Sequence, residues 1–306
     1  MTQRQASFSV AVFVALVILN ASANDAQAQA WVGGQGSLDL ALDYNLGKST
    51  KVIGDGATFA DAGSTTHQLT VGAEYVPIPK LAVTVAVPVV FLKYDGNQTA
   101  YEHEGGGRYD DGDLHGTLTD VRGGVRYQLL EEPFALSPHL AVSIPVADYE
   151  TVGNTVAGRH LKALHAGLGA GYVIGNATYV HLMYEFSLVE KYDRTPDTAK
   201  HSQNRSDLAF TIGHKLLDHR LDLHADANMR KAHGGVSLRA QSTLTDDEEL
   251  YHDAILKEDI VLVGGGIGYQ VSNSFSLSLS ARFFLTGTNT QNASVVALGA
   301  AWSPLL

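Results

Sequence analysis

The sequence predicts an all-β fold: a twelve-stranded, antiparallel, up-and-down transmembrane β-barrel that follows a cleaved export signal. Three observations predict it. Apolar and polar residues alternate with a period of two in segment after segment. In Leu221 to Arg230, Leu221, Leu223, Ala225, Ala227 and Met229 share one parity, and Asp222, His224, Asp226, Asn228 and Arg230 share the other. Long polar loops and short turns separate these segments alternately, which is the rhythm of a membrane barrel. Finally, no run after the amino end approaches the roughly 20 apolar residues that a membrane-spanning helix needs.

The amino end carries Arg4, the apolar run Val10 to Leu19, and small residues ending in Ala26-Gln27-Ala28 or Ala28-Gln29-Ala30. This pattern predicts a signal peptide over 1–30, with the barrel occupying 31–306. There is no cysteine, so neither a disulfide framework nor lipid attachment through cysteine is available. The balance of 45% hydrophobic and 17% charged residues is unremarkable because lipid-facing and lumen-facing positions cancel in a barrel. A net charge of −11 argues against nucleic acid as a partner.

The first strand is expected at Leu38 to Leu46, with leucines and Tyr44 on one face and Asp39 and Asp43 on the other. A loop over 47–65 leads to Gln68–Tyr75, and Pro77 and Pro79 mark a tight turn, since neither can donate to a ladder. Leu81 to Val89 form the third strand, and an acidic, glycine-rich loop spans 93–116. The fourth strand, Leu118 to Leu129, sets Val121, Val125 and Tyr127 against Asp120, Arg122 and Arg126. Charges of that kind are costly on a lipid-facing wall, so this parity must face inward.

Leu136 to Val146 follow, with His139 inward, and then a loop over 147–159. Leu164 to Tyr172 alternate with His165 and three glycines, and Thr178 to Leu188 place His181 and Glu185 inward. After a loop over 190–205, Asp207 to Gly213 and Leu221 to Arg230 form a hairpin, and the fifth loop covers 233–257. Strands ten and eleven carry inward glycines, serines and Arg282, and Val296 to Trp302 complete the twelve. Long loops are expected after every odd strand, which leaves both termini on the short-turn side.

The polar parity gathers Asp39, Asp43, Glu74, Asp120, Arg122, Arg126, His139, His165, His181, Glu185, Asp207, Asp222, His224, Asp226 and Arg282 as candidate lumen-lining residues. A twelve-stranded wall encloses either a narrow pore or a plugged interior. These groups therefore serve as a polar pathway for a small solute or as a network that satisfies buried charges. Metal ligation by His181 with Glu185, or by Asp222, His224 and Asp226, would require neighbours across strands, because same-face residues two apart stand about 7 Å apart. Hydrogen-bonded lumen histidines are expected instead. Asp110-Asp111-Gly112-Asp113 offers hard oxygen ligands without a full calcium-loop spacing and is expected to be a solvated acidic loop. No cofactor, metal or catalytic residue is assigned. His160 and Ser206 have outward parity near the loop side, as an esterase pair on the lipid-facing wall would, but they fall on strands that are not neighbours.

The run Leu118-Thr119-Asp120-Val121-Arg122-Gly123-Gly124-Val125-Arg126-Tyr127, followed by Leu140-Ala141-Val142-Ser143-Ile144-Pro145 and Gly167-Leu168-Gly169-Ala170-Gly171, resembles the outer-membrane family named for the meta-cleavage pathway of phenol degradation. Where that family begins strand four with Gly-Asp, Thr119-Asp120 stand here. The resemblance implies a barrel transporter in the bacterial outer membrane, with lipid around it and small, aromatic or hydrophobic solutes inside. The alternative from the residues alone is a non-conducting structural or surface-binding barrel.

Overall fold

The computed structural model describes residues 30–60, 62–96, 107–131, 133–193, 201–239 and 251–304. The expected export signal, apart from its last residue, lies outside them. The strands are β1 (Leu38–Lys48), β2 (Lys51–Ile53), β3 (Thr58–Ala60), β4 (Ser64–Ile78), β5 (Leu81–Tyr94), β6 (His115–Leu118), β7 (Asp120–Tyr127), β8 (Phe134–Pro145), β9 (Ala163–Ile174), β10 (Thr178–Val189), β11 (Arg205–Leu216), β12 (Leu221–Ala232), β13 (Asp259–Ser272), β14 (Phe275–Thr288), β15 (Thr290–Gln291) and β16 (Ser294–Trp302), with one helical turn, α1 (His252–Ile255). Neighbours pair antiparallel in chain order, and β1 pairs with both β4 and β16, which closes the ring. With β6 and β7 forming one interrupted crossing, the ring has twelve strands. Closure leaves no unpaired edge for lipid to meet.

The alternation decides which face is which. On β8, Leu140 and Ile144 are 54% and 48% exposed, whereas Ser137 and Ala141, on the other parity, are 0% and 7% exposed. The apolar parity forms the outer wall and the polar parity the lumen, as expected for a lipid-embedded barrel.

Four details differ from the sequence expectation. The fourth strand is broken: Val89 pairs with Leu118 and Ala86 with Arg122, so two residues of β5 oppose three of the next strand. Pro88 sits at this break without an N–H to give, and Thr119 N–H donates to its carbonyl at 3.3 Å. Thr119 and Asp120 consequently both face the lumen. The loop over 47–65 holds the hairpin β2–β3, and the fifth loop holds α1. The connection after strand eleven is short, residues 289–293, and its β15 pairs with β2. At the first turn, Pro77 belongs to β4 and only Pro79-Lys80 turn the chain, with Lys80 at φ 70°.

Candidate functional site: the lumen

The lumen holds a cavity of about 670 Å³, and ten of the fifteen predicted residues line it: Asp39, Asp43, Glu74, Asp120, Arg122, Arg126, His139, His165, Glu185 and Asp207. Glu185 on β10 is the hub. It accepts two hydrogen bonds from the Arg122 guanidinium on β7, at 2.9 and 2.5 Å. His139 Nε2 lies 2.8 Å from the same carboxylate and His165 Nδ1 3.1 Å. His165 is fixed further by Ser143 and Ser187 on either side, at 2.9 and 2.8 Å. A carboxylate held by a guanidinium and two imidazoles is fixed in place in a low-dielectric interior. The register explains the meeting: Glu185 faces Gly167 on β9, Gly167 faces His139 on β8, and His139 faces Arg126 on β7. Gly167 carries no side chain, and the His139 ring occupies the place where a Cβ would stand, 2.4 Å from it.

Toward the short-turn end, Arg126 donates to Glu74 at 2.7 and 2.9 Å. Here the chain that precedes β1 enters the barrel. Ala30 carbonyl accepts from Ser137 Oγ at 2.5 Å, Val32 N–H donates to Gln128 Oε1 at 2.7 Å, and Arg126 donates to Trp31 carbonyl at 3.4 Å. The Trp31 indole lies against Gly171 of β9, where a Cβ would stand 2.3 Å from the ring. The indole N–H is buried without a hydrogen-bond partner.

Toward the loop end, Asp207 on β11 accepts from Arg230 at 2.7 Å and lies 3.4 Å from Arg205. Arg230 continues to Glu258 at 3.5 Å, and Arg159, from the loop after β8, reaches Glu258 at 4.0 Å. Burial pulls the Arg159 guanidinium below its usual pKa, against Glu258, which holds it up. Described residues of the loops after β5, β8, β10 and β12 pack at this end. Leu161, Tyr192, Val236, Ala254, Ile255 and Leu256 form an apolar cluster there, and Tyr109 packs under Ala157 with Val90 and Leu92. Asp110 is buried in this cap and accepts from the Asn154 backbone N–H at 2.7 Å, and burial pushes its carboxyl up to about 6. Asp253 on α1 is raised as well, by burial first and by the Asp110 and Glu258 charges after it.

The remaining five candidates stand away from the cavity. Asp226 accepts from Arg282 at 2.6 Å and from Asn228 at 2.8 Å. Asp222 accepts from Tyr179 at 3.0 Å and lies 3.2 Å from His224, and His181 is buried with Nε2 unpartnered. Side chains fill the glycine positions on this side: Arg282 stands against Gly264, His224 and Ser280 against Gly266, and Tyr179 against Gly213. Among the described residues no group of three or more His, Asp or Glu is placed to hold a metal ion. In the acidic loop, Asp111 accepts from Asp113 N–H and meets His115.

Sequence reasoning missed Trp31, Arg159, Arg205, Arg230, Asp253 and Glu258. Arg230 had the inward parity, and its partner strand would have found it; the others lie in segments whose polarity says only loop. The esterase candidates need correction. His160 lies in the loop before β9, its N–H donating to Tyr149 at 2.8 Å, while Ser206 on the outer face of β11 meets a different histidine, His233, at 2.8 Å.

No functionally curated protein matches the sequence. Among solved structures, the COG4313 outer membrane channel from Pseudomonas putida F1 is similar with a TM-score of 0.70 at 12% identity, covering 90% of this chain and 98% of that one. The beta domain of the Bordetella autotransporter Brka is similar with a TM-score of 0.53 at 13% identity, covering 88% and 100%. At such identities the likeness speaks for the fold, which is that of outer-membrane barrels. The family model described as "Putative MetA-pathway of phenol degradation" matches residues 47–298, nearly the whole ring, and the chain belongs to that family.

Proposed function

We propose that this protein is an outer-membrane channel for small solutes with an aromatic or hydrophobic body, seen here with the Trp31 segment and loop residues reaching into the two ends of its lumen. The observation that carries the reading is the polar-walled cavity of about 670 Å³ in the lumen, which the loop residues Thr155 to Arg159 and Asp253 help to line. Small-molecule sites commonly measure roughly 300–1,000 Å³. Its wall mixes the Arg122, Arg126, Arg205 and Arg230 cations with carboxylates, alongside Ala86, Pro88, Val90 and Met183. That lining suits a flat apolar body bearing a hydroxyl or carboxylate better than a bare aliphatic chain, which would strip water from charges without replacing it. The family description, with its reference to phenol degradation, supports the same solute class.

Purified protein in planar bilayers tests this. Stepwise conductance is expected, with small hydroxylated or carboxylated aromatics reducing ion current as they occupy the lumen. The Trp31 segment and the loop residues that reach into the lumen favour one second reading, a non-conducting barrel. Silence of both the wild type and Arg126→Ala, which loosens the Trp31 segment, would put that reading in its place.

A further inference from the structure

The outer wall carries a group of polar side chains that the lumen does not use. Ser206, the second residue of β11, faces outward near the loop end, and its Oγ lies 2.8 Å from His233 Nε2. Tyr184 OH on β10 lies 3.1 Å from the same Oγ. The direct register partner of Ser206 on β12 is Lys231, on the same outward face and exposed. His233 stands one residue past β12; its N–H donates to Asn204 carbonyl at 2.7 Å, and its ring meets Phe186 at 5.8 Å. Below Ser206 the wall turns apolar, with Phe210 and Met229 exposed at 40% and 43%.

From this geometry we propose that Ser206 and His233 form a nucleophile and general base for hydrolysis of carboxylic esters in amphiphiles at the loop-side membrane interface. A hydroxyl within hydrogen-bond reach of an imidazole is the arrangement that activates a serine. In the first half-reaction Ser206 Oγ bonds to the ester carbonyl carbon while its proton passes to His233 Nε2. The carbon–oxygen bond to the alcohol then breaks, and the alcohol leaves with the proton from the imidazolium. A water molecule repeats the sequence on the acyl-serine, which releases the carboxylic acid and restores Ser206. Tyr184 OH and the Lys231 ammonium are the donors assigned to the negative charge that develops on the carbonyl oxygen. The acyl chain lies along the apolar wall beneath, as it would in a bilayer, where ester groups sit at the level of the headgroups. The site is outside the lumen and is independent of the channel reading.

A second outward imidazole–hydroxyl pair provides the control. At the opposite, short-turn rim, Thr178 Oγ1 lies 2.8 Å from His214 Nδ1, with no serine. Folded full-length barrel in phosphatidylethanolamine vesicles is treated with a fluorophosphonate and with a medium-chain p-nitrophenyl ester, folding being checked by heat-modifiable gel mobility. Expected are a phosphonyl adduct mapped by mass spectrometry to Ser206, loss of turnover in Ser206→Ala, a fall of roughly 10²-fold or more in His233→Ala, and no change in His214→Ala. The adduct on the wild type needs no variant to fold. A folded wild type that gives no adduct and turns over ester no faster than Ser206→Ala would overturn the proposal, as would an adduct on another residue with Ser206 unlabelled.

Discussion

Two sides of the lumen carry the same kind of ion pair and use it differently. On the side of β7 to β11, the Arg122 side chain is 36% exposed and looks into the cavity while its partner Glu185 is 4% exposed. On the side of β12 to β14, Arg282 and Asp226 are both 4% exposed, and neither lines the cavity. The opposing glycines matter on both sides, but at β13 they are covered by Arg282 and His224, which complete a solid wall. Charge at an inward position is thus not by itself a pathway. An ion pair with one open flank can meet a solute, whereas one buried on every flank can only hold the wall together.

Removing one partner on the solid side should have the largest effect. Arg282→Ala leaves Asp226 as an uncompensated buried charge, and a loss of roughly 3–5 kcal/mol is expected, read as a lower urea midpoint of the refolded barrel. Arg122→Ala should cost less, about 2 kcal/mol, because His139 and His165 still hold Glu185. It should also shift the reversal potential in a salt gradient toward cation preference. An equal stability loss in the two variants, or an unchanged reversal potential, would erase the distinction between the sides.

Gly171→Ala sharpens the comparison at the short-turn end. The added carbon would stand 2.3 Å from the Trp31 ring, so the indole must leave its seat. A higher open probability and a red-shifted tryptophan emission are expected, and Trp31 is one of only two tryptophans. Unchanged emission would show that the indole had never left.

The smallest effect is a pH dependence of the loop cap. Burial raises the Asp110 carboxyl from 3.8 to about 6. A raised acid stabilises the docked state fully below its unfolded value, and that contribution is lost as pH climbs through the folded value. The cap should therefore hold most firmly below about pH 4 and loosen through about pH 6, with Asp253 acting in the same direction. Proteolytic nicking of the loops across this range reads it, and Asp110→Asn should flatten the profile. Nicking that falls as pH rises would reverse the sign.

The wall was legible and its coverings were not. Period-two alternation is written within each strand, so the facing of Leu140 against Ala141, or of Asp226 against Ala227, follows from a single segment. The interrupted fourth strand had a local signal in Pro88, which cannot donate to the ladder, yet the sequence alone does not say which neighbour lies opposite. Partners across the ring depend on the tilt and register of distant strands. That is why Ser206 pairs with His233 and not with His160, and why Glu185 gathers two histidines from β8 and β9. The Trp31 segment and α1 enter the lumen through contacts made by a few residues, and no periodicity announces such contacts.

The connection after β14 has a further consequence. Beyond the membrane, β15 pairs with β2, matching Thr290 with Ile53 and Gln291 with Val52, while Gln291 Oε1 accepts from Ser49 at 2.8 Å and Ser64 at 2.6 Å. The seam where the last strand meets the first is therefore stitched twice, once by the rungs between β1 and β16 and again by a latch above the lipid. Those two ends close the ring, and the latch gives them a second grip at the place where it would otherwise come unzipped.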